Sequence, residues 1–100
     1  MTCVQAKVTL RTTLEGGRQT GIKTGYRPNH VFEYKDGKFL NTHMGEILFD
    51  HDKVILPGET AFVTVCFVDI PEMEKYITVG RNWFLHEGGR LVGHVEIIKM

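Results

Sequence analysis

Residues 4–11 alternate strictly, with Val4, Ala6, Val8 and Leu10 in one set and Gln5, Lys7, Thr9 and Arg11 in the other. A period of two predicts a strand with one face in a core and the other in water. Residues 12–28 lose the alternation and carry Gly16, Gly17, Gly21, Gly25 and Pro28. They read as a loop or sheet edge with several backbone sites suited to positive φ. Strand-like composition resumes over residues 30–34 and stops at a turn dipeptide, Asp36-Gly37. Two short apolar runs, 45–49 and 53–56, flank Asp50-His51-Asp52, and Pro57-Gly58 makes the next turn. Residues 60–70, TAFVTVCFVDI, are β-branched or aromatic in both alternating sets, as in a strand buried on one face and partly covered on the other. Pro71 ends that strand, and residues 72–75 suffice for one helical turn, too short to be stable without packing. Residues 76–85 and 91–99 supply the last strands, with Gly88-Gly89 between them. About six short strands and no long amphipathic helix predict an all-β sandwich or closed barrel.

Closure has a physical motive, because an open sheet leaves edge N–H and C=O groups ready to pair with other chains. If the first and last strands pair antiparallel, the end of the first lies beside the start of the last. Both places carry the same tetrapeptide, Glu15-Gly16-Gly17-Arg18 and Glu87-Gly88-Gly89-Arg90. The repeat then becomes two glycine turns brought together at one rim.

Composition narrows the class without naming it. One hundred residues, 42% hydrophobic and 24% charged, fit a single ordinary globular domain and exclude disorder or a disulfide-dense miniprotein. No apolar run reaches the roughly 20 residues of a membrane-spanning helix. The alternating N-terminus lacks the apolar block of a secretory signal, so a cytoplasmic location is expected. Cys3 and Cys66 form no C-x-x-C or zinc pattern and read as reduced, structural thiols, with Cys66 inert inside its apolar strand. Formal charge is zero overall, yet residues 1–30 carry +4 and the remainder −4. Such a basic segment can touch phosphate locally without drawing nucleic acid from a distance.

The ordered set Glu15-Gly16-Gly17-Arg18-Gln19-Thr20, Gly25-Tyr26-Arg27-Pro28, Pro57-Gly58-Glu59, Ile70 with Met73, and Glu87-Gly88-Gly89-Arg90-Leu91-Val92-Gly93 covers nearly the whole chain. It resembles the third domain of bacterial and organellar elongation factor Tu. The resemblance implies a closed six-stranded antiparallel barrel of Greek-key type, translation-elongation-factor C-terminal-domain-like, over residues 1–100. With Met1 just before the first strand, the chain reads as a free-standing module. It also implies a binding surface, since the family's third domain touches the T-stem backbone of tRNA and packs on a GTPase domain. The chain has no G-x-x-x-x-G-K-[ST] phosphate loop, so GTP hydrolysis by these residues alone is not expected. Two family positions differ: Gln19 stands where His is usual, and Asn29 where Gln is usual. Both remain polar, and a backbone N–H at Gly88 is indifferent to either change. By alignment, about four extra residues fall within 76–79 and read as a longer hairpin, a length change that surface loops tolerate.

The candidate contact residues are therefore Arg18, Gln19, Lys23, Tyr26, Arg27, Asn29, Glu87, Gly88 and Arg90. Arg27 and Arg90, beside turns, suit a scaffold role in which a planar guanidinium bridges carbonyls and a carboxylate such as Glu15 or Glu87. Arg18 and Lys23, in the basic loop, are the better phosphate candidates, and Tyr26 suits covering a barrel end. No cofactor, metal site or catalytic residue is expected. The five histidines form no ligand motif, and the chain has no serine. The leading reading is a non-enzymatic module that binds a protein or the backbone of tRNA or another RNA, with zero net charge tipping the choice toward protein. The alternatives are a small metal- or His/Asp-dependent enzyme and a self-associating structural subunit.

Overall fold

The computed structural model describes residues 1–36, 38–39, 42–68 and 71–100. Along the chain they form β1 (Thr2–Leu10), β2 (Asn29–Val31), β3 (Tyr34–Lys35), β4 (Lys38–Phe39), β5 (His43–Leu48), β6 (Thr60–Phe67), a 3₁₀ turn (Pro71–Lys75), β7 (Asn82–Glu87) and β8 (Arg90–Lys99). Six strands close a barrel in the order β1-β6-β5-β2-β7-β8, all neighbours antiparallel, and β3-β4 forms a separate small hairpin. The closed antiparallel barrel expected from the strand pattern is present. Its closing seam joins the first and last strands, with Leu10 opposite Gly93 and Val8 opposite Val95.

Alternation along β1 sends Val4, Ala6, Val8 and Leu10 inward, where they meet Val63, Val65 and Phe67 of β6, Trp83 and Leu85 of β7, and Val95 and Ile97 of β8. Burying these side chains supplies the main driving force for closure. At one level of the barrel His30 is fully buried and yet fully satisfied. Its Nε2–H donates to the Gly45 carbonyl at 3.0 Å, while its Nδ1 accepts the Trp83 indole N–H at 2.9 Å. The two partners fix one neutral tautomer, and burial holds the imidazole pKa down to about 4 despite the opposing pull of the carbonyl.

Three expectations need correction. Residues 76–81 do not begin a strand: the 3₁₀ turn runs to Lys75 and β7 starts at Asn82. Nor do residues 76–79 form the longer hairpin expected there, because Tyr76 and Ile77 are buried and Tyr76 stacks on Phe32 at 4.5 Å, plugging the aromatic level around Phe67 and Trp83. The third correction is chemical: Cys3 and Cys66 sit directly opposite each other across β1 and β6 and are disulfide-bonded. Reduced thiols were expected from the compartment and from the absence of a C-x-x-C or zinc pattern, but closure of the barrel brings the two side by side. Gly37, of the predicted Asp36-Gly37 turn, and Asp69 and Ile70, at the end of the predicted 60–70 strand, lie outside the described residues.

Candidate functional site at the barrel rim

The two EGGR segments meet, but they are built differently. After β1 the chain turns over residues 12–17, and Thr12 and Glu15 cap each other: Glu15 Oε1 accepts from the Thr12 N–H at 3.1 Å and from its hydroxyl at 2.8 Å, while the Glu15 N–H donates to Thr12 Oγ1 at 3.1 Å. This is the reciprocal arrangement of a capping box, used here in a turn. Bonds from the Thr12 hydroxyl and N–H hold the Glu15 carboxyl below its ordinary pKa. Gly16 takes φ +98°, and Gly17 packs so closely on the residue that follows β1 that a Cβ there would lie 2.6 Å from the Arg11 carbonyl oxygen. The second copy is the two-residue hairpin between β7 and β8, with Glu87 paired to Arg90 and Gly88 at φ +58°. Positive φ at the first central residue is the type II′ pattern that suits the strand twist.

The ion pair runs between the copies. Arg18 of the first donates from Nη1 to Glu87 Oε2 of the second, and its Nε and Nη2 donate to the Thr20 carbonyl and hydroxyl, both at 3.2 Å. Its guanidinium carbon lies 5.1 Å from the centre of the Tyr26 ring, whose hydroxyl donates to the same Glu87 oxygen at 2.5 Å. Partial burial opposes the Arg18 charge, but the Glu87 carboxylate outweighs it and the guanidinium pKa is raised. Burial, followed by the adjacent carboxylate, raises the Tyr26 phenol well above its usual value. One carboxylate oxygen thus joins three chain segments. Arg27 reaches Glu46 at 3.3 Å on the outer wall.

The nine candidates therefore divide. Arg18, Tyr26 and Glu87 form one cluster, supported by the bridge from Tyr26 to Ile47. Gly88 and Arg90 lie beside it on the hairpin, and Gln19 and Lys23 are exposed on the loop. Asn29 starts β2 and pairs with His86 on β7. Among the described residues, neither Lys23 nor Arg90 makes an ion pair. The scaffold contacts anticipated for Arg90 are made by Arg18, which reaches Glu87 across the rim, while Arg90 is exposed.

A cleft of about 290 Å³ opens next to the cluster, on the outer face between the 12–17 turn and the β7–β8 sheet. Thr9, Arg11, Glu15, Phe84, Leu91 and His94 line it. Neither Phe84 nor His94 is among the contact residues expected from the sequence. A signal was available: Phe84 is an aromatic at the outward position between inward Trp83 and Leu85, and it remains partly exposed. Among the described residues no group of three or more His, Cys, Asp or Glu side chains is placed to hold a metal ion, and no helix is long and apolar enough to cross a membrane.

The closed six-stranded antiparallel barrel fits a C-terminal domain of the elongation factor Tu type. No protein-family model matches the chain. Over 89 residues, 88% of its length, the chain is 34% identical to elongation factor Tu 2 of Streptomyces avermitilis. The match spans 20% of that protein, so the chain has about a fifth of the length of the curated relative it matches. By sequence and fold it is an elongation-factor-Tu-like module.

Proposed function

We propose that the chain is a non-enzymatic, cytoplasmic binding module whose EGGR rim and adjoining cleft hold a segment of a partner protein. The observation that carries this reading is the distribution of charge at the rim. Arg18, one of the two cations expected to meet phosphate, is already matched by Glu87, and the neighbouring Arg27 is matched by Glu46. The cleft beside them mixes Arg11 and His94 with Glu15, Phe84 and Leu91. An apolar centre with a mixed polar edge suits a protein segment, whereas a phosphodiester backbone calls for a run of unmatched cations. Likeness to elongation factor Tu 2 supports a place in translation and keeps tRNA as the second reading.

Two measurements on the same protein separate the readings. Affinity capture from native extract, with partners identified by mass spectrometry, should return a protein that Phe84→Ala and Arg90→Glu both lose, with the barrel intact by circular dichroism. Titration with tRNA across a salt series should show no salt-linked binding. A log–log slope of about −0.7 to −0.9 per phosphate contact, abolished by Lys23→Ala with Arg90→Ala, would replace the protein reading with the RNA one.

A further inference from the structure

The outer wall of the barrel carries a second feature, away from the rim. Cys3 and Cys66 occupy outward positions at directly opposed sites of β1 and β6, and the bond between them runs across the strands. Their surroundings differ sharply. Cys3 is exposed, whereas Cys66 is only 7% exposed. On the far side of Cys66 lies β5, with Glu46 opposite it in register and Arg27 paired to Glu46. On the far side of Cys3 the β1–β8 ladder starts only at Gln5 opposite Lys99, so no described strand pairs with Cys3 there.

Thiolate attack on a disulfide is a displacement at sulfur, in which the nucleophile approaches in line with the bond being broken. On the β5 side the Cys66 sulfur lies at the floor of a small cleft lined by Arg27, Met44 and the ion-paired Glu46, and its 7% exposure restricts an in-line approach. An in-line path to the Cys3 sulfur enters from the uncovered side of β1. We infer that the Cys3–Cys66 cystine is a thiol–disulfide exchange site, entered by a dithiol reductant through Cys3 and closed to attack at Cys66.

In the reaction, one thiolate of the reductant bonds to Cys3 Sγ while the Cys3–Cys66 bond breaks. Cys66 leaves with the electron pair and takes a proton from water. The second thiolate of the same reductant then attacks the reductant's own sulfur in the mixed disulfide and releases the Cys3 thiolate. The cystine gains two electrons, and the dithiol becomes a cyclic disulfide. A small-molecule disulfide such as oxidised glutathione reverses the process, passing through a mixed disulfide on Cys3 that Cys66 resolves. Reduction is expected to leave the barrel folded, because backbone pairing between β1 and β6 runs from Thr2 opposite Phe67 to Thr9 opposite Thr60, on both sides of the bridge.

The test uses the whole chain. Native oxidised protein is treated with reduced glutathione, quenched in acid and mapped by peptide mass spectrometry; glutathione should appear on Cys3 and not on Cys66. In parallel, Cys66→Ser and Cys3→Ser each present one thiol to a maleimide. The Cys3 thiol should label at least about tenfold faster than the Cys66 thiol in the native barrel, and the two should label equally in denaturant, where burial no longer distinguishes them. Glutathione on Cys66 in the wild type, or equal native labelling rates, would overturn the assignment. So would two thiols that stay unjoined in native protein held in oxidised glutathione.

Discussion

The first EGGR segment folds back on the strand that precedes it, whereas the second only reverses the chain between two strands. Four identical residues therefore do different work. Glu15 folds back on Thr12 at the surface, while Glu87 reaches across to the other copy; Arg18 is held by that carboxylate, while Arg90 is exposed. A repeated motif in a closed barrel need not mean a repeated function. What each side chain does depends on whether its turn lies against a neighbouring strand or projects from the end of a hairpin.

The contrast between rim and interior gives the largest predicted effect. The unfolded chain takes up a proton on His30 near pH 6.5, and the folded chain only near 4. Stability from neutral His30 is thus complete above about pH 6.5 and is lost as pH falls through 4, amounting to about 3 kcal/mol across the window. Denaturant midpoints followed by Trp83 fluorescence should fall over that range, and Arg18→Ala should lower the whole curve without moving its inflection. Replacing His30 with Gln should flatten the pH dependence.

Glycine substitutions set one turn against the other. Gly17→Ala drives a Cβ to 2.6 Å from a backbone oxygen, whereas a Cβ on Gly89 meets nothing within 4 Å. Urea unfolding should show a loss of about 2 kcal/mol for Gly17→Ala and less than about 0.5 kcal/mol for Gly89→Ala. Equal losses would mean that the two turns are equally constrained.

Much of this architecture is readable from the chain. Strict alternation marks β1 and its inward residues, and avoidance of sheet edges leads to closure and to the meeting of the two EGGR copies. Which arginine would cross the seam is not readable, because that depends on the direction in which each turn leaves its strand. Residues 76–79 mislead for another reason: Tyr76, Ile77 and Val79 suit a strand or a core plug equally well, and only the aromatic level around Phe32 decides between them. The cysteine bridge was half visible. Cys3 shares the outward set of Gln5 and Lys7, and Cys66 that of Phe62 and Thr64, but the register that places them opposite each other exists only in the assembled barrel.

Arginine substitutions give a smaller effect. Arg18→Ala removes the charged partner of a half-buried Glu87 and should cost about 1 kcal/mol, while Arg90→Ala should stay within about 0.5 kcal/mol. Thermal or urea unfolding of the two variants side by side is sufficient to tell them apart.

The most direct test of the asymmetric rim is a pair of double-mutant cycles read by urea unfolding. Arg18→Ala with Glu87→Gln should show a coupling of about 1 kcal/mol, and Arg90→Ala with Glu15→Gln a coupling indistinguishable from zero. Zero coupling in the first cycle, or equal coupling in both, would contradict the account of two like turns joined by one crossed ion pair.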